Sequence, residues 1–98
     1  MNIVKTAEGE KLLLQIEGRL DTTTAPQLEE ELKNSIDGVT DLTLDFEKLE
    51  YVSSAGLRVL LGAQKTMNKQ GKMVIVNVCD DINEVFEITG FSDILTVE

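Results

Sequence analysis

Apolar residues recur along this chain first at every second position and then at every third or fourth. KLLLQIEGRL places Leu12, Leu14 and Ile16 at period two, the spacing of a strand with one buried face. A shorter strand, NIVKT, precedes it, and AEGE between them reads as the turn of an opening hairpin. In TTTAPQLEEELKNSI the period lengthens, and Ala25, Leu28, Leu32 and Ile36 fall on one helical stripe. The threonine run and Pro26 supply a helix start, Thr24 and Gln27 match a capping box, and Gly38 is the expected stop.

DLTLDF alternates again, with Leu42, Leu44 and Phe46 against Thr43 and Asp45. EKLEYVSS then leads to a second helix, with Leu57, Leu60, Leu61 and Met67 facing inward and Arg58, Lys65 and Lys69 facing out. Gly71 closes it. KMVIVNV is nearly all apolar and β-branched, as in a central strand covered on both faces or paired in parallel. DDINEVFEITGF predicts a third helix with Asp81 as N-cap ahead of Glu84, a buried face of Ile82, Val85 and Phe86, and Gly90 as C-cap. DILTV completes the order ββαβαβαβ.

That order predicts an α/β fold: a mixed, mostly parallel sheet of about five strands with helices packed on it. Residues 1–98 form a single domain of ordinary size. Partners of such sheets meet the loops at strand C-termini. One Tyr, three Phe and no Trp leave the core to Leu, Ile and Val. No apolar stripe remains once the core is assigned, which predicts a monomer when free.

Nine Lys and Arg against eighteen Asp and Glu give a formal charge of −9. Such a chain repels polyanions, which argues against nucleic acid and anionic membranes; its natural complement is a basic protein surface, and the other reading, which charge alone does not separate from it, is that the acidity simply keeps the domain soluble. The N-terminus lacks the pattern of a signal peptide, and no run approaches the ~20 apolar residues of a membrane span. A cytoplasmic protein without membrane insertion is expected. The single Cys79 cannot form an internal disulfide and reads as a small buried or half-buried residue.

With no histidine, the imidazole base and the Ser-His relay are absent, and YVSSAGL is not the Gly-x-Ser-x-Gly elbow of a hydrolase. No glycine-rich phosphate cradle is present. Asp21, Asp45, Glu47 and Glu50 fall near strand ends but read as a solvated rim, so no metal or cofactor is expected. What remains is the pair Ser53 and Ser54 at the mouth of the second helix. Serine is a preferred N-cap; an exposed hydroxyl there is also a place where a phosphate would meet the positive end of a helix.

LTLDFEKLEYVSSAGLRVLLGAQKTMNKQGKMVIVNV, with GRLDTTTAPQLEEEL before it and INEVFEITGFSDILTV after it, resembles STAS domains. The likeness is greatest to the small anti-sigma factor antagonists of bacteria and covers nearly the whole chain. It implies a non-enzymatic regulator of transcription that switches partners. Unmodified, such a protein binds an anti-sigma factor that is also a serine kinase, releasing a sigma factor; phosphorylation separates the complex, and a PP2C-type phosphatase resets it.

Aligning the Gly-Leu of the motif places the family's phosphoacceptor on Ser54, with Ser53 as second choice. Many members carry Asp where this chain has Ser53. Asp21 and Thr22 match the family's loop after the second strand, so the resemblance implies a docking surface of Asp21, Thr22, Ser53, Ser54 and Arg58. Asp21 reads equally as a turn residue, and Arg58 as an ordinary solvated charge. STAS domains of other kinds serve as scaffold subunits of lipid-transport or stressosome-like complexes, or as nucleotide-sensing modules, and these are the alternative roles.

Overall fold

A computed structural model describes all residues from Met1 to Glu98. The chain forms β1 (Asn2–Glu8), β2 (Lys11–Leu20), α1 (Ala25–Ser35), β3 (Asp41–Asp45), β4 (Leu49–Val52), α2 (Ser54–Gln70), β5 (Lys72–Val76) and α3 (Asp80–Thr89), then a 3₁₀ turn over Phe91–Asp93. The strands make one mixed sheet in the order β1-β2-β3-β5, with β4 also paired to β2. Only β1 and β2 are antiparallel.

Register explains the core. Leu12 pairs with Leu42 and Leu42 with Met73, while Leu14 pairs with Leu44 and Leu44 with Ile75. Paired residues share a face, and all six are buried. Leu28 and Leu32 of α1, Leu60 and Met67 of α2, and Ile82 and Phe86 of α3 join them in one cluster. On the opposite face Leu13, Thr43 and Val74 line up half-buried, so the helices cover one side of the sheet.

Of the seven glycines, Gly71, at the turn from α2 into β5, has the closest backbone neighbour. A Cβ on Gly71 would land on the carbonyl of Thr40, which accepts the N–H of Lys72 at 2.9 Å. Gln70 fastens the same corner by donating to the carbonyls of Ile36 (2.8 Å) and Val39 (2.7 Å).

Several sequence expectations are corrected. Leu49–Val52, inside a segment read as a connection, is a strand: it lies along the last three residues of β2, where a register shift at Gly18 and Arg19 makes room for it. DILTV is not a strand, because the 3₁₀ turn consumes its approach and only Val97 bridges Ile75. Of the two alternatives for KMVIVNV, parallel pairing holds, since β5 pairs with β3 in parallel, but the strand is not central: it ends the sheet order, with one face buried and the other half-buried. Cys79 is exposed: Asn77 turns the chain out of the sheet at φ 59°, and Cys79, not Asp81, becomes the N-cap of α3.

The first helix ends at Ser35, ahead of Gly38, which takes φ +77° in the following turn. Leu61 is half-buried, whereas Gln64 is a core residue. Ile88 and Ile94 remain in solvent, an apolar leftover the sequence did not signal.

Gly71→Ala is expected to destabilise the fold by about 1–3 kcal/mol, because backbone rather than a flexible side chain must move. Gly62, in the middle of α2, has open space around its Cα. Gly62→Ala is therefore expected to be neutral or stabilising by up to about 1 kcal/mol. Urea denaturation of the two variants checks the contrast.

Candidate functional site at the entrances of α1 and α2

The site is assembled by parallel strand pairing. Leu20 at the end of β2 pairs with Val52 at the end of β4, and the N–H of Ser53 donates to the carbonyl of Leu20 at 2.8 Å. The two following loops therefore start side by side, one leading to α1 and one to α2. A Cβ on Gly56 would come within 2.7 Å of Leu20 Cγ. Glycine there lets the first turn of α2 rest directly on the end of β2.

The two serines have different environments. Ser53 is the N-cap of α2 with extended backbone (φ −94°, ψ 175°), and its hydroxyl accepts from the N–H of Gly56 at 3.4 Å. It is half-buried; Ser54, the first helical residue, is exposed. The capping and accessible roles weighed for the pair thus fall on separate residues.

Asp21 holds the entrance of α1. Its Oδ1 accepts from the N–H groups of Thr23 (3.0 Å) and Thr24 (3.1 Å) and from the Thr23 hydroxyl (2.7 Å). The Thr24 hydroxyl accepts from the Asp21 N–H at 2.8 Å and donates to the Arg19 carbonyl at 2.7 Å. Thr24 is the N-cap by backbone position, but its side chain does not cap the helix. The Thr24–Gln27 capping box is corrected on this point: the Thr24 hydroxyl is turned back to the Arg19 carbonyl and the Asp21 N–H, the Gln27 N–H bonds to the Thr24 carbonyl, and the Thr24 N–H that Gln27 would have met goes to the Asp21 carboxylate. The Thr23 hydroxyl bond first, and the Thr24 and Thr23 amide bonds with it, hold the Asp21 carboxyl below its usual value against the opposing effect of desolvation.

Thr22 is exposed at the loop tip and shares a shallow groove of about 180 Å³ with Pro26, Ala55 and Arg58. Thr22, Asp21, Ser53 and Ser54 thus gather at one end of the molecule, and Arg58 lies one turn along α2. Sequence reasoning missed Arg19 and Tyr51, which pair across β2 and β4. The Arg19 guanidinium stands 4.3 Å from the centre of the Tyr51 ring, and its Nε lies 3.8 Å from Asp21 Oδ2. Only recognition of β4 and its register could have found that pair.

The acids noted at strand ends do not converge into a group of three or more metal ligands. Partial burial pushes the Asp45 carboxyl up, but bonds from Asn77, the Glu47 N–H and Gln15 outweigh it and leave the group below its usual value. No helix is long and apolar enough to cross a membrane.

The family model described as the STAS domain matches residues 2–98. The chain belongs to the STAS domain family. A Staphylococcus aureus protein named anti-sigma-B factor antagonist is 35% identical over 99 residues, spanning 99% of this STAS domain and 92% of the relative. BtrV of Bordetella bronchiseptica is 40% identical over 88 residues, covering 88% of this chain and 76% of that protein. Among solved structures, the phosphorylated form of the Bacillus cell fate determinant SpoIIAA superposes with a TM-score of 0.77 at 20% identity, covering 99% of this chain and 91% of that one. That likeness concerns the fold.

Two predictions follow from the local chemistry of this STAS domain. Ser53→Ala removes a cap and is expected to cost about 0.5–1 kcal/mol, whereas Ser54→Ala stays within about 0.5 kcal/mol of wild type. Thermal unfolding of both variants checks the difference. Asp21, with its folded pKa lowered, contributes stability that is fully present above the ordinary carboxyl value of about 3.9 and lost as pH falls through the lowered value. Asp21→Asn should therefore be less stable than wild type at pH 7, with the gap closing below about pH 4. Urea midpoints of both proteins across that range measure it.

Proposed function

We propose that this STAS domain is an anti-sigma factor antagonist and that Ser54 is its phosphoacceptor. One observation carries the reading: of the three helix entrances, only that of α2 lacks an anion, and there the first helical residue is an exposed serine. Asp21 occupies the entrance of α1, and Asp80 and Asp81 occupy the first turn of α3. At α2 the cap is the neutral Ser53 hydroxyl, and the first turn carries no acid.

A phosphate on Ser54 would lie at the positive end of α2, near backbone amides without helical partners. The domain accommodates it without refolding. A partner packed over that entrance meets a new group of roughly −1.5 to −2 charge and must desolvate it or supply cations. A loss of about 3 kcal/mol at such a contact lowers affinity by roughly two orders of magnitude, which is sufficient to separate a regulatory complex.

The partner in this reading is an anti-sigma factor with serine kinase activity. Its γ-phosphoryl passes from ATP to Ser54 Oγ, ADP leaves, and a kinase group takes the hydroxyl proton. A PP2C-type phosphatase hydrolyses the ester and restores the binding form. Asp21, Thr22, Ser53 and Arg58 flank the serine as docking residues, and the domain itself catalyses nothing. The names of the 35% identical relative and of the phosphorylated structural neighbour support this assignment. The neutral cap retains the geometry an aspartate would supply while leaving the entrance free of negative charge.

Incubation with the cognate kinase and ATP should add one phosphate to the wild type and to Ser53→Ala, and none to Ser54→Ala. Intact-mass analysis reads the outcome, and unchanged phosphorylation of Ser54→Ala would reject the assignment.

A further inference from the structure

We propose that the outward stripe of α2, running from Ser54 through Arg58 and Lys65 to Lys69, is a docking surface for a carboxylate-rich face of the kinase partner. The proposal rests on the partner-switch reading and adds the chemistry and extent of the contact. At about 100° per residue the four positions fall within an arc of about 60°, and they span about 22 Å along the helix. All four side chains are exposed, and half-buried Leu61 lies about 20° outside that arc, beyond its Ser54 edge. The stripe therefore combines a line of cations with an apolar contact beside it.

The charges of this stripe are unusual for the chain that bears it. Eighteen acids are available to nine bases, yet α2 contains three cations and no acid. The four ion pairs of the structure engage Arg19, Lys33, Lys48 and Lys72. Arg58, Lys65 and Lys69 take part in none of them.

Helix stability does not explain the arrangement either. Lys69 in the last turn faces the negative end of the helix dipole favourably. Arg58 lies toward the positive end, where a cation gains nothing. Lys65 and Lys69 are like charges four residues apart, a spacing that is mildly unfavourable. A molecule outside the fold that supplies carboxylates accounts for all three cations.

Net charge alone favours a basic partner surface, but the stripe is itself basic, so its local complement is a carboxylate-rich protein surface rather than a basic one or a polyanion. The formal charge of −9 repels DNA and anionic membranes at distances where the stripe is only a local feature. At contact, within a Debye length, the nearest charges dominate. Acidic side chains on a partner of modest net charge therefore meet the stripe without meeting the full repulsion.

The stripe also gives the switch its sign. Phosphate on Ser54 stands four residues before Arg58, with the acid on the N-terminal side, which is the favourable order for an intrahelical pair. The phosphate draws in the Arg58 guanidinium and sets a dianion opposite the partner's carboxylates. One modification thereby removes an attraction and installs a repulsion at the same end of the contact.

The test measures binding of the cognate anti-sigma factor kinase by calorimetry to wild type, Lys65→Glu, Lys69→Glu and the control Glu84→Lys on α3. Each α2 reversal is expected to weaken binding by about fivefold or more, with affinity falling as salt rises and the α3 control unchanged. Carbodiimide, which joins an amine to a carboxylate in direct contact, should couple Lys65 and Lys69 to Asp or Glu of the kinase. Wild-type affinity in both reversals, with cross-links that avoid α2, overturns the stripe while leaving Ser54 phosphorylation intact. Failure of the kinase to bind or modify the wild type overturns the partner-switch reading and this surface with it. Binding of duplex DNA or phosphatidylglycerol vesicles through Lys65 and Lys69 reassigns the stripe to a polyanion and overturns the protein partner.

Discussion

The structure depends on the parallel contact between the ends of β2 and β4. Leu20 and Val52 lie in register there, the Leu20 carbonyl receives the Ser53 N–H, and Gly56 brings the first turn of α2 onto the Leu20 side chain. Two loops that are about thirty residues apart in sequence become one surface. Each backbone contact is ordinary for a sheet, but together they fix where the helix entrances point. A larger residue at Gly56 would move the serine pair along with the helix.

Rigidity beneath that surface separates storage of the signal from its reading. Leu20, Val52, Leu57 and Leu60 are buried around the junction, and close-packed cores resist small displacements. Charge added at Ser54 has little to deform locally. Its effect is felt where two molecules meet and water is excluded, because a charge that costs little in solvent costs much more when desolvated.

Legibility in the sequence followed how local each cause was. The alternation of Leu12, Leu14 and Ile16 and the spacing of Leu57, Leu60 and Met67 carried the correct elements because burial alone sets those periods. β4 was hidden: its buried residues, Leu49 and Val52, are three apart, around an irregularity in pairing with β2. The Arg19–Tyr51 contact was invisible for the same reason. At α1, Thr24 and Gln27 suggested a capping box, but Asp21 took the Thr24 N–H from upstream and the Thr24 hydroxyl turned back to the Arg19 carbonyl. Cys79 followed an apolar run and was read as part of it, although Asn77 had already turned the chain away from the sheet. The outward direction of Arg58, Lys65 and Lys69 could be read from spacing; that none of them finds an internal counter-ion required the folded chain.

The seven residues of β1 bond to β2 alone, so their other side is an open row of amides and carbonyls at the margin of the sheet. Such a margin is a template for strand-to-strand self-association. The excess of carboxylates keeps copies of the molecule apart at neutral pH, and that mutual repulsion fades as the medium approaches the isoelectric point near 4.4. In mild acid the exposed margin of the first strand is therefore the place on this fold where one copy can pair with another.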